Sequence, residues 1–397
     1  MSAAMRKSGQ WLSIALAASA LLLPYVGGFP ATYVSMALTL LLLVWLAVAR
    51  PPIEVGPEGW LLLAAVALLT LIFAVHGTLA YAANFLMLGL VPLLVAAMRA
   101  SAAPGNATLV ARLALAGVTI AAAVALYQVG VEGRPRAAGF GSDEIWSATA
   151  ALVVGWLALM ALPEASSRWR YLYLLGPVLG VLVVMLSGSR GPMLVVPLLF
   201  GVVLAMLKRD RWALLATVAV VAALVFFWPD HSRLTSIATI STELATGVPL
   251  SDGSFDVRKV LLDASWGAFK LSPWIGYGWS NFGAATEPFT GVGSWVSRSD
   301  AFHLHSDMLN FAVAGGVLGL LAYLTILVAP LAGAWRTPDD TQQEARRLGA
   351  VLLVTAYAGC GLTNTFFGFE MHTTLFACLL AVLFGFCRDR PAGGAAT

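Results

Sequence analysis

The chain reads as an all-α polytopic membrane protein, on three observations. Hydrophobic residues fill 59% of the 397 positions and charged residues only 11%, where soluble domains carry about 25% charged. Mean hydropathy is +0.85. Apolar runs of spanning length follow one another along nearly the whole chain, interrupted by a single long polar stretch at 229–308.

A helix crosses the hydrocarbon with about 20 mostly apolar residues. Twelve runs fit that pattern: 11–27, 31–49, 59–76, 79–98, 109–128, 146–162, 171–186, 192–207, 211–228, 309–334, 348–366 and 372–387. The organisation expected is nine helices over 1–228, an extracytoplasmic segment over 229–308, and three helices with a short tail over 309–397. Arg6 and Lys7 before the apolar run Trp11–Val26 imitate a secretory signal. Leu23-Pro24-Tyr25 is a poor small-residue cleavage site, so an uncleaved first span is expected.

Charge sets the expected orientation. With the N-terminus inside, fifteen of the 23 basic residues fall on the inner side, from Arg6 and Lys7 to Arg388 and Arg390. Only Arg134, Arg136 and Arg190 fall in short outer loops. Long loops count little in the positive-inside rule, so the polar stretch is placed outside and both termini inside. All five histidines, His76, His231, His303, His305 and His372, then lie on the outer side.

Composition also excludes classes. A net charge of +3 with dispersed basic residues gives no nucleic-acid footprint. Three cysteines, Cys360, Cys378 and Cys387, all in apolar runs, read as packing residues rather than a disulfide framework. No Cys/His cluster or DxD-type motif points to a metal, so neither metal nor cofactor is expected.

Within the polar stretch, Val257, Val260, Leu261, Ala264 and Ala268 recur at helical spacing, which predicts a helix over Asp256–Lys270 capped by Ser254 or Asp256. Trp266 and Phe269 widen its apolar face, as in helices that lie on a membrane surface. Arg258 is then at headgroup depth. Leu271–Gly278 reads as a turn-rich connection.

Arginines in short outer loops work against insertion polarity and need a reason. Arg190 stands in Ser187-Gly188-Ser189-Arg190-Gly191-Pro192, a turn whose glycines admit close backbone approach and whose guanidinium suits a phosphate. The competing reading is a helix-end arginine snorkelling to headgroups. Arg134 and Arg136 occupy a second glycine-rich outer loop, 133–141. With Arg258 these cations suit a lipid-linked diphosphate. His303-Leu304-His305 ends the polar stretch, and a neutral imidazole can take a proton from a sugar hydroxyl at ambient pH. His305-Ser306 is followed by nine residues, Gly316, two residues and Gly319, small residues that suit close helix packing.

At these positions the chain resembles the bacterial O-antigen ligases and their polymerase relatives. Their signature is His with Asn, Ser or Gln, nine residues, Gly, two residues, Gly. The Ser-Gly-Ser-Arg-Gly turn resembles the family's outer arginine turn. Asp256-Val257-Arg258 with Pro273–Gly278 resembles its "Arg…Pro-Leu-Leu-Gly-Val-Gly" region. The chain departs at Ser306 (often Asn), at Ala314 (often Glu) and at Ser142-Asp143-Glu144, which replaces an Asn-Pro-Asn.

The resemblance implies a metal-independent, inverting glycosyltransferase of the C type in a Gram-negative inner membrane. It would move O-polysaccharide from undecaprenyl diphosphate to lipid A–core at the periplasmic face. The residue types then suggest His305 as general base and Arg190 and Arg258 on the diphosphate with help from Arg136; His303 is a back-up binding or base candidate that lacks the motif spacing. An O-antigen polymerase, with a second lipid-linked glycan as acceptor, stays open. A lipid or solute transporter is the reading from another class.

Overall fold

The computed structural model describes residues 2–101, 106–163, 168–228, 253–290, 303–337 and 340–388, with 239, 242–243 and 246 besides. Of the expectations above, those on His231, Arg390, the Ser254 side chain and most of 229–252 and 291–302 lie outside the described residues.

The described chain is helical and contains no strand. In order, α1 (Ala3–Leu22), α2 (Pro24–Ala49), α3 (Pro57–Val75), α4 (Leu86–Ser101) and α5 (Asn106–Gly130) build the first part of the bundle. Then come α6 (Glu144–Leu157), α7 (Leu175–Ser187), α8 (Arg190–Met206) and α9 (Arg211–Phe226). After the polar stretch come α10 (Gly253–Leu271), the short α11 (Phe282–Thr286), α12 (Asp307–Arg336), α13 (Gln343–Gly361) and α14 (Glu370–Ala381). Every apolar run predicted as a span forms a helix, but twelve spans is more than length and composition support. Seven described helices are long and apolar enough to cross a bilayer, or up to eight if the bent pair α8–α9 counts as one span.

The shortfall has local causes. Between α8 and α9 the chain bends by 104° at Leu207, just before the short turn Lys208–Asp210. There Asp210 is buried and accepts from Arg170 at 2.6 Å, while Lys208, Arg209 and Arg211 stay exposed. Helix α13 opens with Glu344, Arg346 and Arg347 and stops at Gly361, five residues before the predicted end at 366. Helix α14 is a short apolar helix that continues through a wide turn to Phe386.

The central helix, α12, packs most extensively on α3 and also on α13 and α10. It is not continuous. Gly316 adopts φ 59, ψ −143, which breaks the helical hydrogen-bond ladder. The turn 273–278 docks into the break. Tyr277 and Gly278 donate backbone N–H bonds to Val313 and Ala314 (2.9 and 2.8 Å), and Val317 and Leu318 donate to Pro273 and Trp274 (2.7 and 3.3 Å). Groups orphaned by the break thereby find partners, as buried backbone must. A Cβ on Gly316 would meet the Trp274 carbonyl carbon at 2.5 Å, and one on Gly319 would strike the Phe311 carbonyl. The glycine motif therefore serves a break within one helix, where the sequence suggested packing between helices.

Helix α10 begins three residues earlier than predicted and presents the predicted face. Leu261, Ala264 and Ala268 are buried, while Trp266 and Trp274 stand 58% and 69% exposed. The three cysteines are buried and none is in a disulfide among the described residues.

Candidate functional site

One end of the bundle collects the termini of α6, α7, α8, α12 and α13. Helix α7 stops at Ser187 because Gly188 turns left-handed (φ 62, ψ 25), a common helix C-terminal arrangement. Ser189 precedes the first residue of α8, which is Arg190. The Ser189 hydroxyl donates to the Glu144 carbonyl (3.2 Å), which ties the turn to the start of α6. Asp143 caps α6 by accepting from the Trp146 N–H at 2.7 Å. The segment Ser142-Asp143-Glu144, which departs from the family pattern, thus has a structural role here.

Arg136 is held from two sides. Its Nε donates to the Ser187 carbonyl at 2.7 Å, and its Nη1 lies 3.8 Å from the Glu144 carboxylate. The loop behind it is clamped by buried Gln128, whose Oε1 accepts from Ala138 and Gly139 at 3.0 Å each. Arg134 pairs instead with Glu132 at 2.6 Å and is not part of the cavity lining.

Arg258 reaches in from α10, and its Nε donates to the Thr363 carbonyl at 3.4 Å. The Arg190 guanidinium lies 5.6 Å from the centre of the Phe255 ring, one turn earlier on α10. Arg136, Arg190 and Arg258 line one cavity of about 260 Å³ with Ile145, Ser189, Phe255 and Thr363. Three guanidiniums with one nearby carboxylate leave an excess of positive charge, and each can grip a phosphate with two parallel N–H bonds.

The histidines sit beside this cavity and are not among the residues lining it. His305 has φ 50, the left-handed region that non-glycine residues seldom occupy. Its backbone N–H donates to His303 Nδ1 at 3.2 Å, and the two rings meet edge to face at 4.2 Å. Burial, with the charge of Arg258 added, pushes the His303 imidazole down to about 4. His303 is therefore neutral at ambient pH. With Nδ1 accepting, its ring proton is on Nε2.

The sequence reading missed the connection between α13 and α14. Its Thr363 lines the cavity, and Gly361, Asn364, Thr365, Phe366 and Phe367 bind the segment 306–310. The signal was present: Thr363-Asn364-Thr365 is a polar triplet at the end of an apolar run. Among the described residues, no group of three or more His, Cys, Asp or Glu side chains gathers as metal ligands would.

Fold and site together define a multi-pass, all-helical membrane protein with a cationic cavity at one end of its bundle and two imidazoles beside it. Residues 175–324 match the family model described as O-antigen ligase, a range that runs from α7 past Gly319 and contains Arg190, Arg258, His303 and His305. The match covers less than half of the chain and supports a member of the O-antigen ligase and polymerase family. That family implies, in general terms, a glycosyltransferase-like enzyme with a lipid-linked glycan and a lipid-anchored acceptor as partners. No curated protein gives a significant match.

Proposed function

We propose that this protein is an O-antigen ligase that transfers polysaccharide from undecaprenyl diphosphate to lipid A–core at the periplasmic face of the inner membrane. The observation that carries the reading is the shared cavity of Arg136, Arg190 and Arg258, with His303, which feels the charge of Arg258, in ring contact with His305. The guanidiniums hold the donor's diphosphate. His305 takes the proton from the acceptor hydroxyl, and that oxygen bonds to the anomeric carbon opposite the diphosphate. The sugar–diphosphate C–O bond breaks with its electron pair leaving on the phosphate oxygen, and the anomeric centre inverts. The arginines stabilise the charge that develops on the departing diphosphate, a task a divalent ion performs in other transferases. His303, pushed down to about 4 by burial and by Arg258, stays neutral and accepts from the His305 backbone N–H at 3.2 Å, which positions its neighbour.

Buried ion pairs weigh against a transporter. Arg170–Asp210, Arg99–Glu58 and Arg346–Asp340 all lie at helix ends, where transporters place ionisable groups near mid-depth.

The test is reconstitution of the purified protein with undecaprenyl-diphosphate glycan and either lipid A–core or a second lipid-linked glycan. Consumption of lipid A–core is expected. Exclusive use of the second glycan makes the protein a polymerase. His305→Ala should abolish transfer in an inserted, folded protein, and near-normal transfer removes His305 from the chemistry.

A further inference from the structure

Neither Asp307 nor Asn310 belongs to the His-Ser-x9-Gly-x2-Gly pattern, yet both are fully buried immediately after the histidine. Their bonds converge on two places. Asn310 Oδ1 accepts from the Leu304 N–H at 2.8 Å, one residue before His305, and its Nδ2 donates to Thr365 Oγ1 at 3.0 Å. Asp307 Oδ1 accepts from the N–H groups of Phe366 and Phe367 at 2.9 and 3.0 Å, while its own N–H donates to the Asn364 carbonyl at 3.2 Å. Between them, the Ser306 hydroxyl donates to the Gly361 carbonyl at 3.2 Å. The loop that receives these bonds also presents the Thr363 carbonyl to Arg258.

We propose that Asp307 and Asn310 are positioning residues that hold the His305 imidazole in register with the arginine cavity, using the 361–367 loop as a common bracket. His305 needs such a bracket. A non-glycine residue stays at φ 50 only where its surroundings over-determine it, and both flanks of His305 are pinned to one loop. A polar side chain at full burial is costly even when bonded, and stability alone is served as well by an apolar residue.

The inference rests on His305 acting as base, and the experiment separates the two claims. Asp307→Ala, Asp307→Asn, Asn310→Ala and His305→Ala are compared in the reconstituted transfer from undecaprenyl-diphosphate glycan to lipid A–core. Monodispersity and thermal unfolding in detergent serve as the folding check. The two alanine variants at 307 and 310 are expected to lose roughly a hundredfold in kcat, with both KM values within about twofold of the parent, because a misplaced base slows chemistry without weakening binding. Asp307→Asn keeps the accepting oxygen and should recover most of the loss. If an alanine variant does not fold, Asn310→Ser and Asp307→Ser carry the same kcat-against-KM comparison. Unchanged kcat in Asn310→Ala, a loss confined to KM, or no recovery in Asp307→Asn over Asp307→Ala overturns the proposal. An active His305→Ala instead overturns the base assignment, whatever the other variants do.

Discussion

Arg190 combines three local devices. It opens α8, it follows a left-handed glycine, and its guanidinium faces both Phe255 and the cavity. Lysine at this position keeps the charge and loses the planar fork. Arg190→Lys should cost about 2 kcal/mol of transition-state stabilisation, roughly thirtyfold in transfer rate, while insertion is unchanged. Full activity in that variant would leave headgroup anchoring as the residue's role. His303 yields a pH prediction. Its imidazole protonates near 6.5 in an unfolded chain and near 4 in the folded one, through burial and the facing charge of Arg258. Between those values the unfolded chain binds more protons, so the contribution is fully present above the unfolded value and is lost as pH falls through the window. The unfolding temperature should therefore drop between about pH 7 and about pH 4, less steeply in His303→Gln. Arg190, Arg258 and His305 were legible as single residues because charge and imidazole are conspicuous in apolar surroundings. Asn310 was not, because small polar residues near helix ends are common and only contact reveals their use; Thr363 carried a signal only as part of the polar triplet 363–365.

At the scale of elements, the break in α12 is the organising feature. Gly276 is held at φ 61 against α12, and a Cβ there would lie 2.5 Å from the Ala314 carbonyl carbon. Gly276→Ala is expected to destabilise by at least about 2 kcal/mol, since left-handed backbone and a close contact add. Gly201→Ala, on an exposed helix face with nothing within 4 Å, should be neutral or slightly stabilising. Differential scanning fluorimetry of the two variants decides it; equal unfolding temperatures would show that the docked turn contributes little. Helix α10 was legible from its 3.6-residue period, and its buried face is the predicted one. The break was not legible, because two adjacent glycines read equally well as close helix packing.

Over the whole molecule, charge separates to two ends. Arg136, Arg190, Arg258 and both site histidines gather at the end where α12 begins. Arg99, Glu58, Arg346 and Asp340 gather where α3 and α13 begin, at the other end of the same helices. That separation suits a bundle that crosses the bilayer, and labelling tells which end faces outward. A membrane-impermeant maleimide should label Lys259→Cys in cells whose outer membrane alone is permeabilised. Lys208→Cys should react only after the inner membrane is opened. Both side chains are exposed, and the native cysteines are buried. The reverse pattern inverts the topology and removes the periplasmic assignment.

The membrane class, the helical content and the identity of the cationic and imidazole candidates follow from the sequence by itself, because hydropathy and charge are properties of single residues and short windows. The number of spans does not, since a 104° bend and a short α14 depend on how helices meet. Nor does the site, because Arg136, Arg190 and Arg258 stand on three separate elements. Only folding brings their guanidiniums to one cavity, and the loop between α13 and α14 binds both Arg258 and Asp307, two residues after the histidine. Hydrogen bonds between residues far apart in the chain leave no periodic trace in composition or pattern.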